Sequence, residues 1–258
     1  MIIVRKVLGL ATAQDAGRVG LASQGVPRSG FLVRTLAHAA NAAAGNDPDA
    51  ACVEIFGRFA CVADSEIVVG DDRGVRRVLR AGEELVVDPD PHLRVRYLAI
   101  AGGLDAPVFL GSRSTLAVCG LGREIRRGDR LSSARAPVRD RDAKPKIVSR
   151  PIRVVLGPDE GGEALETTAF RISTTSDRTG TRLEPSTPMA TSSTGTLPST
   201  PTVVGAIQLP RGGSPIVIGP DGPVTGGYPI IAVIAKDDLD AFHALPLGAP
   251  VTFVRALS

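Results

Sequence analysis

Apolar residues fall along this chain in short β-like runs punctuated by glycine and proline, and few stretches carry helical spacing. In the first half the runs lie at 2–10 (IIVRKVLGL), 66–70 (EIVVG), 83–88 (EELVVD), 93–103 (LRVRYLAIAGG) and 114–120 (STLAVCG). Alternation at Leu93, Val95 and Tyr97 predicts a strand with one wet face. It leads into Leu98, Ala99, Ile100 and Ala101, a segment suited to cover on both sides. One helix interrupts them: in FLVRTLAHAANAAAG (31–45), Leu32, Leu36, Ala39, Ala40 and Ala43 share a face, Gly45 suits the C-cap and Pro48 a stop. The second half predicts strands at 151–157, 170–174, 215–219 and 251–256, a short helix at 163–168 and another at 236–244. Residues 185–201 are low-complexity Ser/Thr/Pro and read as a loop.

A spacing of aliphatic, glycine and aliphatic three residues apart recurs at Leu79, Gly82 and Leu85, at Ile125, Gly128 and Leu131, and at Leu245, Gly248 and Val251. Glycine there permits the positive φ of a tight turn into a strand. Related barrel halves and a turn common to any β protein explain the repeat equally well.

Composition narrows the class. With 43% hydrophobic and 22% charged residues over 258 positions, the chain is globular rather than disordered. No apolar stretch approaches the roughly 20 residues needed to span a bilayer. Arg5, Lys6 and Asp15 stand where a signal peptide would keep its apolar run, so neither membrane nor secretion is expected. The three cysteines (Cys52, Cys61, Cys119) form no CxxC pair, and His38, His92 and His243 lie scattered. A cytoplasmic, reducing setting with buried free thiols and no metal follows as the expectation. The net charge of +3 is uneven: the stretch from Arg123 to Arg153 carries +7 and the rest −4. That stretch has no aromatic residue for stacking on bases, so it reads as a connector and nucleic acid is not expected as a partner.

Neither GxxxxGK[ST] nor GxGxxG after a strand occurs, so the chain does not grip a triphosphate by a loop of its own. Four polar clusters with glycine remain: Gln14, Asp15 and Arg18; Ser112, Arg113 and Ser114 in GSRST; Asp177 and Arg178 in SDRTGTR; and Gly226, Gly227 and Tyr228 in TGGYP. A guanidinium among hydroxyls suits a carboxylate or phosphate oxygen, and paired glycines bring backbone N–H groups close to a ligand. Each cluster alone also fits a structural turn or ion pair. Together they point to a small carboxylate- or amide-bearing molecule.

In this order the clusters are specific. TAQDAGRVGLASQGVPRSG (12–30), YLAIAGGLDAPVFLGSRST (97–115), SDRTGTRL (176–183), VGAIQLPRGGSPIVI (204–218) and TGGYPIIAVI (225–234) resemble the allophanate hydrolase subunit 2 family over nearly the whole chain. That family includes the third, or C, component of bacterial ATP-dependent 5-oxoprolinase and the biotin-dependent carboxyltransferase region of urea amidolyase. The resemblance implies a mainly β fold with a few short helices, as two cyclophilin-like β-barrel domains in tandem. They would occupy 1–134 and 151–258 with an Arg-rich connector at 135–150. It implies a partner like allophanate hydrolase subunit 1 (the B component of 5-oxoprolinase), with ATP used through the complex to open 5-oxoproline. Biotin would be involved under the urea-carboxylase alternative, and a regulatory protein without chemistry is also represented in the family.

On this resemblance the expected substrate-binding residues are Ser112, Arg113 and Ser114 for an anionic oxygen, Asp177 and Arg178 as a second polar pair, and Gly226, Gly227 and Tyr228 as a backbone wall with Gln208 nearby. Gln14, Asp15 and Arg18 are further candidates for the site or else braces of the first barrel, and no nucleophile or base is assigned. Three departures bear on activity. Val33 stands where the family usually has an acid, Pro223 and Val224 where it has Gln-Thr, and residues 199–202 (STPT) where an acidic residue commonly precedes the VxGAIQ segment.

Overall fold

The computed structural model describes residues 1–135, 145, 147, 151–190 and 198–256. Most of the connector expected over 135–150, and residues 191–197 of the Ser/Thr/Pro stretch, lie outside the described residues. The chain divides into two compact units, Met1–Arg18 with Ser29–Ile147 and Val19–Arg28 with Val148–Ser258. Each has its own hydrophobic core. The fold is mainly β with barrel-like, nearly closed sheet and short helices, as expected.

In the first unit the strands are β1 (Ile2–Gln14), β2 (Cys52–Ala63), β3 (Ile67–Asp71), β4 (Arg76–Leu79), β5 (Glu84–Val87), β6 (Arg96–Ile100) and β7 (Arg130–Leu131). They form one sheet in the order β4-β3-β6-β2-β1-β7, with β5 also on β2. β1 and β2 run antiparallel from Ile2 opposite Ala63 to Gln14 opposite Cys52, with an irregularity between Val4 and Lys6. β2 is absent from the sequence expectation, because Glu54, Gly57 and Arg58 break its apolar pattern; Glu54 is nonetheless fully buried. Helix α1 (Arg34–Ala44) packs on β3 and β6. Its many alanines let it sit low on the sheet, and at Gly70 of β3 a β-carbon would stand 2.3 Å from the Ala40 carbonyl oxygen. Gly45 has φ 76°, and its N–H and that of Asn46 return to Ala42 and Asn41, closing the helix as the sequence predicts.

Two expectations for this unit are corrected. Arg96 is not on a wet face: Nε and Nη2 donate to the two oxygens of buried Asp72, each at 2.6 Å. The stretch 114–120 is not a strand. Thr115 N–H donates to Ala13, and Leu116 and Leu121 close a loop around the short 3-10 turn Ala117–Cys119. Bonds of the Ser114 hydroxyl to Asp15 and of the Thr115 backbone to Ala13 and Gln14 tie the segment to the end of β1 and compete with strand pairing. Cys119 is therefore exposed, unlike buried Cys52 and Cys61.

The second unit holds β8 (Ile152–Leu156), β9 (Phe170–Ile172), β10 (Gly180–Pro185), β11 (Thr200–Pro201), β12 (Ala206–Gln208), β13 (Ile216–Ile218), β14 (Thr225–Gly226), β15 (Ile230–Ile234), β16 (Pro250–Val251) and β17 (Phe253–Arg255). Eight of these form a sheet in the order β16-β9-β10-β13-β12-β15-β8-β17, and β11 and β14 pair as a separate ribbon. Helix α2 (Leu239–Ala244) contributes Phe242, which joins Phe170 and Phe253 in the core. The recurring glycines all have positive φ, 82° at Gly82, 94° at Gly128 and 81° at Gly248, and each lies in a tight turn beside a strand. Among the described residues no helix is long and apolar enough to cross a membrane.

Candidate functional site

The end of β1 and the segment 109–115 form one hydrogen-bonded cluster in the first unit. Asp15 is its hub. Oδ1 accepts from Gly17 N–H at 2.8 Å and from the hydroxyls of Ser112 and Ser114, each at 2.6 Å. Oδ2 accepts from Arg113 N–H at 2.6 Å. Ser114 Oγ also accepts from Asp15 N–H, and Ser112 Oγ from Ser114 N–H. Each hydroxyl has one proton, and both protons go to Asp15. The anionic oxygen that Ser112 and Ser114 hold is thus Oδ1 of Asp15.

Arg18, almost wholly buried, donates from Nε to Phe109 and from Nη2 to Ser114, and the buried Gln14 amide donates to Thr12 Oγ1 and the Thr115 carbonyl. These contacts brace the segment on the end of β1. The Arg113 side chain leaves the hub: Nη1 donates to Asp105 Oδ1 at 3.0 Å and to the Ala106 carbonyl. It borders two cavities. One, of about 380 Å³, is lined by Asp15, Asn46, Asp49, Gly102 and Arg135 among others; a second, of about 460 Å³, includes Phe109, Thr115 and Arg123. Both volumes suit a small metabolite.

Backbone strain gathers at the same place. Among the described residues, the non-glycine positions with left-handed φ are Ser29 at 56° and Leu110 at 52°. Ser29 Oγ donates to the Thr115 carbonyl. Leu110 and Gly111 (φ 80°) form the tip between Phe109 and Ser112, which exchange both backbone hydrogen bonds. Positive φ at both central positions is what a type I′ hairpin turn requires, and a branched aliphatic residue adopts it only at a cost. Such strain persists where surrounding contacts over-determine it, commonly at ligand sites.

In the second unit Asp177 and Arg178 each bond to other parts of the chain. Asp177 caps its own turn, accepting from Thr179 and Gly180 N–H. Arg178 is buried and makes a two-pronged pair with Asp221, at 2.9 and 2.8 Å. Asp221 lies 43 positions away, so no local signal in the sequence marks it. Gln208 ends β12, and its side chain lies against Gly226: a β-carbon there would stand 2.6 Å from Gln208 Nε2. Gly227 and Tyr228 are exposed.

The family description "Carboxyltransferase domain, subdomain A and B" matches residues 24–255. The chain belongs to this carboxyltransferase family. It is 32% identical to the C component of 5-oxoprolinase from Escherichia coli (strain K12), over 95% of this chain and 87% of that one. The solved structure of TTHA0988 superposes with a TM-score of 0.86 and 28% identity, covering 98% of this chain and 56% of that chain. The urea amidolyase of K. lactis superposes with a TM-score of 0.87 and 26% identity, covering 99% of this chain and 19% of that one. This member of the carboxyltransferase family thus spans little more than half of the first solved chain and about a fifth of the second.

In this carboxyltransferase chain, sequence reasoning also passed over Glu54 and Tyr97. The Tyr97 hydroxyl donates to Glu54 Oε2 at 2.6 Å and accepts from Val33 N–H at 2.9 Å, while Glu54 accepts from Leu32 N–H. Burial, reinforced by the Glu54 charge, holds the Tyr97 phenol well above its ordinary pKa. Val33 itself is fully buried, so its side chain belongs to the core. Among the described residues no group of three or more His, Cys, Asp or Glu side chains is arranged to hold a metal ion.

Proposed function

We propose that this chain is the C component of an ATP-dependent amide or lactam hydrolase of the 5-oxoprolinase type, acting with a partner like the B component of 5-oxoprolinase. One observation carries this reading: the near end-to-end match to the C component of 5-oxoprolinase, at 32% identity over 95% of this chain and 87% of that one. The site chemistry supports a small polar substrate. Asp15 is fixed by two hydroxyls and two amides, and Arg113 stands between two cavities of metabolite size. No phosphate loop occurs in the sequence, so ATP is assigned to the assembled complex. Its chemistry there is to drive the opening of the lactam C–N bond of 5-oxoproline to glutamate. This chain's own part is to position the lactam.

A carboxyltransferase reading, with biotin carried by another chain and urea as acceptor, draws on the K. lactis urea amidolyase likeness at a TM-score of 0.87. It ranks second because this chain matches only 19% of that protein. The deciding experiment copurifies the chain with its partner proteins and measures ATP turnover with 5-oxoproline, and separately with urea and a biotinylated carrier. Stimulation by 5-oxoproline that is lost in Arg113→Ala is the expected result. Stimulation by urea alone would move the assignment to carboxyl transfer. A stable complex that turns over none of these would make the chain a regulatory protein.

A further inference from the structure

Gln208 presents a buried hydrogen-bond donor with no acceptor. Its side chain is almost wholly shielded, at 4% exposure, and Nε2 has no hydrogen-bond partner among the described residues. An amide N–H left unpaired in a protein interior carries an uncompensated desolvation cost, so an acceptor that reached it would bind with that cost relieved. Gly226 stands directly against the group. Gly226 belongs to the ribbon of β11 and β14, where Thr200 faces Gly226 and Pro201 faces Thr225. Among the described residues the ribbon pairs with no strand of the eight-stranded sheet, and Thr200, Pro201 and Thr225 are exposed. Its further tie is Thr202, whose N–H and hydroxyl donate to the carbonyls of Val224 and Pro223. A two-stranded ribbon of this size is marginal in water, so its opening is among the cheapest local motions of the fold. Gln208 itself sits on β12, held between β13 and β15. The donor thus sits on a strand paired on both sides, while Gly226 belongs to a two-stranded ribbon.

We infer that Gln208 is a substrate-recognition residue: when the Thr200–Pro201 and Thr225–Gly226 ribbon lifts, Nε2 donates to the carbonyl oxygen of a small amide or lactam. Glycine at 226 lets the ribbon close over the amide, since a methyl group there would meet its nitrogen at 2.6 Å. The assignment deepens the amide-hydrolase reading and rests on it for the choice of probes.

The test uses the full chain and three probes, 5-oxoproline, 2-pyrrolidinone and urea, with binding measured calorimetrically for wild type, Gln208→Leu and Gln208→Glu. Wild type is expected to bind at least one probe, and both variants to bind it about tenfold or more weakly, because each removes the donor. Ligand-free Gln208→Leu is expected to unfold at the same temperature as wild type or higher. Amide hydrogen exchange at Thr202 should be far faster than at Ala232 within β15. If a variant does not fold, the wild-type side-chain amide resonance of Gln208 supplies the readout and must shift on probe binding. Unchanged affinity in Gln208→Leu, no binding of any probe to wild type, or Thr202 protection equal to that of Ala232 would overturn the inference. Binding of 2-pyrrolidinone or urea through Gln208, without 5-oxoproline-stimulated ATP turnover in the complex, would remove the proposed activity and leave this assignment standing.

Discussion

Gly9 and Gly57 face each other across the β1–β2 ladder, and neither position has room for a side chain. A β-carbon on Gly9 would stand 2.0 Å from the Phe56 carbonyl oxygen, and one on Gly57 2.1 Å from that of Leu8. Both have φ near +100°, at 104° and 103°. The pair lets the two long strands bend past each other in mid-ladder, which a barrel wall of twelve or thirteen residues requires. Gly9→Ala is expected to destabilise the chain by about 3 kcal/mol or more, since it adds both a clash with backbone and a left-handed alanine. Urea unfolding of the variant checks this; a loss below about 1 kcal/mol would mean the ladder can shift register there.

The Arg178 and Asp221 pair sets a second expectation. Both side chains are buried and the guanidinium meets both carboxylate oxygens. Asp221→Ala leaves a buried cation without its carboxylate and is expected to cost about 3–5 kcal/mol. Replacing the pair together, by Arg178→Met and Asp221→Leu, is expected to recover most of that loss. A double-mutant cycle by denaturant unfolding measures both, and a cycle without coupling would show that the pair adds little to the fold.

Leu110 carries strain that can be released. Its side chain is 56% exposed, so little apolar contact is lost on changing it, while its φ of 52° favours asparagine or glycine. Leu110→Asn is expected to stabilise the chain by about 1 kcal/mol. The midpoint of chemical denaturation reads the change. If activity in the assembled complex falls while stability rises, the exposed leucine serves a contact rather than the turn.

The thiols separate by reactivity. Burial, with Glu84 adding to it, pushes the Cys61 thiol up to about 12, and burial with Glu54 raises Cys52 well above its ordinary value. A raised pKa keeps both protonated at about pH 8, and the thiolate is the reactive form. Alkylation of the native chain at that pH is expected to modify Cys119 alone, with all three thiols reacting after denaturation. Mass spectrometry of the native product counts the adducts. Rapid labelling of Cys61 would show that β2 opens readily at its end.

Features that depend on neighbours a few positions apart are readable from the residues alone. The mainly β character, the Gly45 helix stop and the positive φ at Gly82, Gly128 and Gly248 all follow from local sterics and short-range pattern. Helix α1 was legible because its apolar face repeats at helical spacing. Its close seat on Gly70 was not, since that gap lies between segments far apart in the chain. The polar clusters were also legible as places, but their partners were not. Nothing local in SDRTG distinguishes an arginine facing a ligand from one paired with Asp221, and nothing in GSRST reveals that both serine protons go to Asp15. β2 escaped notice because Glu54 reads as polar, and only the hydrogen bonds it receives, the Tyr97 hydroxyl of β6 among them, offset the cost of its burial. Hydrogen bonds and ion pairs between distant segments are decided by which strands become neighbours, and that is settled when whole sheets form around their cores. Tertiary structure alone therefore decided which polar groups are satisfied, and it left the buried amide of Gln208 with a hydrogen bond still to make.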